Sequence, residues 1–478
     1  MSSEVITVQT LDGGQIGLDP AVFGAIPDQR RLRPGDPGFD DATRLWNGMI
    51  RKEPALVIQP ETADEVTTVV NLAGEHGLLL SIKGGGHNIA GLALADHGLT
   101  LDMSRMREVR IDRERRVVHV GPGCLLGDVD RVTQEHGLAT TLGFVSETGI
   151  AGLTLGGGFG YLSRRFGYTV DDLVEAQVVT ADGRFRRASR DVEPELFWAL
   201  RGGGGNFGVV TRFTYQLHEV GPSIMGGIVA WPAADHAEDV LGLYQEMTAA
   251  APSELTLVAT MRLAPPAPFI PEEWHGKPMV AVVACHSGDP TQAAHDLAPI
   301  KGFGRPIADL MVAKTYLEQQ SMLDATQPKG ANYYWKTEFI SDLSDDYLQT
   351  FQANASTIES PMSQVILFHI EGALNERAED DGAVGNRDAT FVTGAAGAWP
   401  ATDPNGEAHR TWVGNSWERI RPFSTGGNYI NFQTADDDAS RIEDSYRGNY
   451  ERLRKIKSEC DPENLFRVNR NLEPMATQ

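Results

Sequence analysis

The chain has 478 residues, with 42 Lys and Arg against 65 Asp and Glu and a net charge of −23. That length exceeds one ordinary domain, so two or more lobes are expected, and the acidity argues against a nucleic-acid or anionic-membrane partner. Three cysteines, Cys124, Cys285 and Cys460, form no CxxC pair and no metal-ligand spacing, so neither a disulfide framework nor a zinc site is indicated.

The first residues lack a basic region followed by an apolar core, and no later run is long enough to span a bilayer, which makes the expected location cytoplasmic. Residues 5–8 read as a strand, and the Pro- and Gly-punctuated stretch up to Trp46 as an arm on the surface of the first lobe. Residues 55–58 read as a strand, Thr62 as a helix cap with Glu65 three residues on, and Val66, Val69, Val70 and Ala73 fall at helical spacing. A short buried strand then runs into SIKGGGHNIAG (81–91). Gly84, Gly85 and Gly86 have no Cβ, so the backbone there can turn its N–H groups towards a pyrophosphate, with His87 on the rim.

Strands are expected at 99–103 and 117–120, and a helix at 126–137. Before that helix, GPGCLLG (121–127) imitates a dinucleotide fingerprint, but no strand ending in an acid follows to hold a ribose, so a turn with no nucleotide is expected. In the next cluster Gly149, Gly152, Gly156, Gly157, Gly158, Gly160 and Gly167 fall within nineteen residues. So much glycine costs folding entropy and suits backbone that passes close to a flat aromatic cofactor with a diphosphate. Residues 174–187 read as a hairpin turning at Asp182-Gly183. A third cluster, RGGGGNFGVV (201–210), is followed by a strand rather than a helix, which rejects a Rossmann reading while still letting backbone reach adenine or phosphate.

Beyond residue 218 the dense glycine runs stop. Strands at 255–263 and 279–286 alternate with helices at 235–250, 290–299 and 343–358, which indicates an α+β lobe with a mostly antiparallel sheet. Residues 375–390 read as a polar loop, 427–432 as a strand with Tyr429 and Asn431 on one face, and 440–459 as a helix.

Together, KGGGH (83–87), LTLGGGFGYLSRRFG (153–167), FWALRGGGGNFGVV (197–210), YIN (429–431) and DPENLFRVNRNLEP (461–474) resemble the berberine-bridge-enzyme-like flavoproteins, a branch of the vanillyl-alcohol-oxidase superfamily. The resemblance implies an α+β protein with a PCMH-type FAD-binding domain at 1–218 completed by 437–478, and a substrate domain at 219–436 inserted between. It places FAD against Lys83, Gly84, Gly85, Gly86, Asn88 and Gly91, then Thr148, Gly149, Gly152, Gly157, Gly158 and Gly160, then Asn206, Gly208, Val209 and Val210, and lastly Asn431 and Asn469. It also implies a covalent bond from His87 to the flavin 8α-methyl carbon. A second link, from cysteine, is not expected, because Val145 stands at the linking position.

By the same resemblance Tyr429 is the expected catalytic base; its anion would need stabilising by a nearby cation or the flavin environment, and Lys336 and Arg387 of the inserted lobe are the cations that can be named. Tyr161, Tyr333, Tyr334, Trp335, Lys336, His369 and Glu371 are candidate pocket residues, and Phe159 stands where some relatives carry a second functional tyrosine. The expected activity is that of an oxidase taking hydride from an alcohol, amine or sugar-like small molecule and reducing dioxygen to hydrogen peroxide. A dehydrogenase with another acceptor stays open, because Thr148 sits where relatives place an aliphatic residue that controls oxygen access. A flavin-loaded protein without turnover stays open too.

Overall fold

The structure, a computed structural model, describes residues 5–24 and 26–475. It is an α+β fold of the PCMH type. Thr62 caps the helix Ala63–Glu75 by accepting from the Glu65 N–H, and the helix buries Val66, Val69, Val70 and Ala73. These side chains pack on a sheet in which Leu56–Ile58, Leu99–Asp102 and Leu80–Lys83 run parallel, with Arg31–Leu32 antiparallel at its edge. A second, five-stranded antiparallel sheet has the order Phe185–Ser189, Leu173–Val179, Val209–Gln216, Val117–Val120, Val109–Asp112. The hairpin at Asp182-Gly183 joins its first two strands, and Gly183 takes φ +70°.

The strands from Ser223–Pro232 to Phe391–Trp399 form one eight-stranded antiparallel sheet. Alternation divides its faces. Leu257, Ala259, Val280, Val282, Val365 and Leu367 pack under the helices Ala233–Ala250 and Asp345–Ala355. Val258, Val283, Phe368 and Val392 face the other way, onto Phe159, Tyr161 and Tyr168 of the first lobe.

Several expectations need correction. Trp46 is not on a surface arm: residues 46–48 are wedged between the lobes. Trp46 N–H donates to Gly86 O, Gly330 N–H to Trp46 O, and Asn47 Nδ2 to both Ile89 O and Tyr333 O. Residues 375–390 do form a loop, and it is pinned: Arg387 donates to the buried Asp171 at 2.7 Å and Asn375 Nδ2 donates to Arg387 O and Ala389 O. The helix at 440–459 is two, Ala439–Tyr446 and Tyr450–Cys460. They part where the Ser445 carbonyl accepts from Asn386 Nδ2 and Arg447 takes φ +49°. The helix from Leu126 ends at Gln134. Residues 430–432 form a 3₁₀ turn instead of a strand, closed by Phe432 N–H to Tyr429 O.

The chain's end returns to the first lobe. Lys457 Nζ, fully buried, donates to Asp461 Oδ2 at 2.6 Å, to Phe466 O and to Asn206 O, while the Leu472 N–H donates to Asn206 Oδ1. Asn206 is thus a clip that holds the tail.

Between the lobes, Gln320 Nε2 reaches Asp130 Oδ2 at 3.0 Å and Gly143 O at 3.1 Å. Burial pushes the Asp130 carboxyl up to about 7. Its folded pKa lies above the unfolded value, so its contribution is full below pH ~4 and is lost as pH rises towards about 7. Asp130→Asn should match wild-type stability near pH 4 and exceed it at pH 8 by on the order of a few kcal/mol in denaturant titrations. Equal stability at both pH values would show that the carboxyl titrates normally.

Candidate functional site

A cavity of about 410 Å³ lies between the first lobe and the inner face of the eight-stranded sheet. Two loops converge at its first-lobe wall. Gly85 and Gly149 lie back to back: a Cβ on Gly85 would sit 2.5 Å from Gly149 N, and one on Gly149 would sit 2.3 Å from Gly85 N. The loop Gly84–Asn88 and the short helix Ile150–Leu155 thereby share one wall. The N–H groups of Gly86, His87 and Asn88, all cavity-lining residues, have no hydrogen-bond partner among the described residues. Unpaired backbone donors beside a cavity call for an acceptor. Further round, Gly152 and Gly205 present bare backbone: a Cβ on Gly152 meets nothing within 4 Å, and one on Gly205 only Asn469 Nδ2 at 3.8 Å. Asn469 Oδ1 is buried without a partner among the described residues. Free donors, a Cβ-free wall and a free amide oxygen fit a dinucleotide with a diphosphate.

His87 lies in this wall, its ring stacked on Trp46 with centroids 5.5 Å apart, and Trp46 stacks in turn on Tyr333 at 3.6 Å. Burial, aided by the nearby Lys329 charge, pushes the His87 pKa down to about 4, so its imidazole is neutral at pH 7. Thr148 Oγ1 stands 3.5 Å from His87 Nδ1.

Across the cavity, the Tyr429 hydroxyl accepts from the Gly158 N–H at 2.9 Å and from Asn431 Nδ2 at 2.8 Å. Asn431 also donates to Leu153 O, and it fits only because Gly156 is bare: a Cβ there would lie 2.2 Å from Asn431 Oδ1. Phe159 and Phe432 meet the Tyr429 ring edge-on at 4.8 and 4.9 Å. Burial raises the Tyr429 phenol, and its two donors act in the opposite sense.

Of the residues expected at the cofactor, Gly84, Gly85, Gly86, His87, Asn88, Thr148, Gly149, Gly152, Gly208, Val210, Asn431 and Asn469 line the cavity. Lys83 does not; it is buried against Asp102 at 3.1 Å. Nor do Gly91, Gly157, Gly158, Gly160, Asn206 and Val209, which act one layer back. Gly91 leaves room for Ile50, Gly157 for Val384 and Gly160 for Leu142 O, Gly158 serves Tyr429, and Val209 packs in the core of the first lobe. Of the expected pocket side chains only Trp335 reaches the cavity. Tyr161 is core, Tyr334 donates to Asp436, and His369 lies against Glu371. The expected cations are engaged elsewhere, Lys336 with Asp437 at 2.8 Å and Arg387 with Asp171. Val145 lines the cavity, and Cys124, Cys285 and Cys460 lie outside it. Sequence reasoning missed Trp46, Arg262 and Pro122, the last in the turn read as having no nucleotide, yet a cavity-lining residue. Its GPG pattern was the available signal.

A family model described as "FAD binding domain" matches residues 54–189, and one described as "Berberine and berberine like" matches 428–473. The chain is 30% identical to (R)-6-hydroxynicotine oxidase of Paenarthrobacter nicotinovorans, over 93% of this chain and 96% of that one. It is 29% identical to an FAD-linked oxidoreductase of Dictyostelium discoideum, over 91% and 92% of the two lengths. The crystal structure of 6-hydroxy-D-nicotine oxidase from Arthrobacter nicotinovorans superposes with a TM-score of 0.83 at 27% identity, covering 93% of this chain and 98% of that one.

The two glycine environments separate stability from cofactor retention. Gly149→Ala should lower unfolding free energy by about 1–3 kcal/mol, the usual cost of overpacking. Gly152→Ala should keep or slightly raise it, since helical Ala is favoured over Gly by up to ~1 kcal/mol, while reducing the bound flavin seen at 450 nm. Full flavin content in Gly152→Ala would show that this wall does not face the cofactor.

Proposed function

Because the chain belongs to the berberine-bridge-enzyme-like family of FAD-linked oxidoreductases, we propose that it is an oxidase acting on an alcohol or amine carried on an apolar, aromatic frame, with dioxygen as the electron acceptor. The observation that carries this reading is the convergence, in one cavity, of the glycine wall, a neutral His87 and the doubly hydrogen-bonded Tyr429. FAD, when bound, takes a hydride from a substrate carbon and yields the electrons to an acceptor. Gly86, His87, Asn88, Gly149, Gly152, Gly205 and Asn469 are the residues that would hold it.

The substrate half of the cavity is walled by Val258, Ile366, Phe368, Trp335, Phe159 and Phe432. Such walls exclude water and position an aromatic ring, and they leave a sugar ring beside Tyr429 short of polar partners. This favours the amine or alcohol arm of the expected activity over the sugar-like arm. The oxidase name of the 6-hydroxynicotine-acting relative supports the same choice.

Tyr429 is the group we assign to take the proton released as hydride leaves. Its oxygen has two neutral donors, Gly158 N–H and Asn431 Nδ2, which stabilise a phenolate without a cation. Burial holds the phenol protonated at neutral pH, so the reductive half-reaction should speed up about tenfold per pH unit below the phenol's pKa. Tyr429→Phe should slow anaerobic flavin reduction by roughly 10²–10⁴-fold and flatten that pH profile. A near wild-type rate in this variant would remove Tyr429 from the chemistry.

His87, neutral and nucleophilic, is assigned the single covalent tether, with Val145 where a second link would need sulfur. Acid precipitation should therefore leave the flavin with wild-type protein and release it from His87→Ala. Release from both would sink the tether. The Thr148 hydroxyl beside His87 favours a second reading, a dehydrogenase using a non-oxygen acceptor. Mixing reduced protein with air-saturated buffer decides between the two, since an oxidase reoxidises at once and forms hydrogen peroxide.

A further inference from the structure

Arg262 lines the same cavity far from the glycine wall, and no carboxylate pairs with it among the described residues. Its Nη2 donates to Pro361 O at 2.8 Å, and its buried Nε has no partner among them. The Nη2 bond lies at the exposed end of the side chain, while the buried Nε keeps a donor that no described group meets. Burial alone lowers its pKa, with no acid acting against it.

One neighbour, Gln364, shares this unmet capacity, and Thr260 orients it by spending its own hydroxyl hydrogen on Gln364 Oε1 and the Val365 carbonyl. Arg262 lies directly across the ladder from Gln364, and Thr260 lies two residues back along the strand, on the same face. Thr260 Oγ1 stands 2.9 Å from Gln364 Oε1, which turns the Gln364 amide nitrogen outward with no partner among the described residues. Both residues line the cavity. FAD has its donors elsewhere, at Gly86, His87 and Asn88 and beside Asn469. The ladder sets the reach of this polar end. Val258 pairs with Phe368, and Phe368 packs on Phe159, which packs on Tyr429. From the level of Val258 to that of Arg262 is four residues of strand, about 13 Å at ~3.3 Å per residue.

We propose that Arg262 and Gln364 form an anion-accepting subsite, and that the substrate is an elongated molecule with an aromatic body and a carboxylate at the end remote from the carbon oxidised near Tyr429. The subsite refines the proposed oxidase reading, on which only the identity of the reacting end rests. Apolar Ile366, Val258 and Phe368 cover the intervening wall, so the body must be apolar and the charge terminal.

Isothermal titration of the holoprotein with biphenyl-4-carboxylate and with its uncharged match, biphenyl-4-carboxamide, tests this without turnover. The carboxylate should bind roughly tenfold tighter, as a charge-assisted hydrogen bond contributes. Arg262→Met should bring the two probes to within about twofold by weakening the carboxylate only. Arg262→Lys should keep part of the preference, and Gln364→Leu should reduce it. Equal affinities in the wild type, absence of binding by both probes, or a preference that survives Arg262→Met would overturn the subsite. The wild-type comparison needs no variant to fold. If no alcohol or amine bleaches the flavin while the carboxylate preference persists, the oxidase reading falls and the subsite stands; bleaching without the preference has the reverse meaning.

Discussion

The contact on which the rest depends is backbone against backbone. With Gly85 and Gly149 touching, the loop that carries His87 and the helix that follows Gly149 become one surface of the cavity. A side chain at either place would drive the two apart by more than flexible neighbours can absorb, because what it would meet is main chain. Gly156 and Gly160 follow the same logic against Asn431 and Leu142 O. The glycine clusters thus serve close packing as much as they leave bare backbone at the cavity.

Polar contacts hold the second lobe on that surface. Asp171, fully buried, receives Arg387 at 2.7 Å from one lobe and Arg201 at 3.3 Å from the other. Arg164 is spent on the carbonyls of Ala251, Pro252 and Glu371. Such groups are expensive to strand, so the two lobes have few alternative ways to sit together. That constraint keeps Tyr429, on the chain leaving the second lobe, in register with the Gly158 N–H of the first.

What was legible in the sequence was local or alternating. The Thr62 cap and the Asp182-Gly183 turn involve near neighbours, and Leu255–Leu263 shows its strand by its own composition. The glycine motifs and His87 stood out because three dense glycine runs in one chain are costly unless backbone passes close to something there. What stayed hidden depends on partners far along the chain. Nothing near Lys83 announces Asp102 as its mate, nothing near Trp46 announces that Gly86 and Gly330 will grip it, and Arg387 looks like any loop cation until Asp171 is in place. Tyr429 and Asn431 do act together, though by a turn and a side-chain hydrogen bond in place of strand alternation.

The Asn206 clip has a consequence for how the protein is made. Lys457 and Leu472 meet Asn206 across 251 and 266 residues of chain. During synthesis the glycine turn around Asn206 leaves the ribosome long before its fastening exists, and the whole second lobe must emerge in between. Closure over so long a loop comes late, so the nascent first lobe waits with an unlatched wall. The cavity wall at Asn206 is thus finished only once the segment through Leu472 has emerged, and a chain cut within the helix Tyr450–Cys460 would carry most of the lining residues with that turn unfastened.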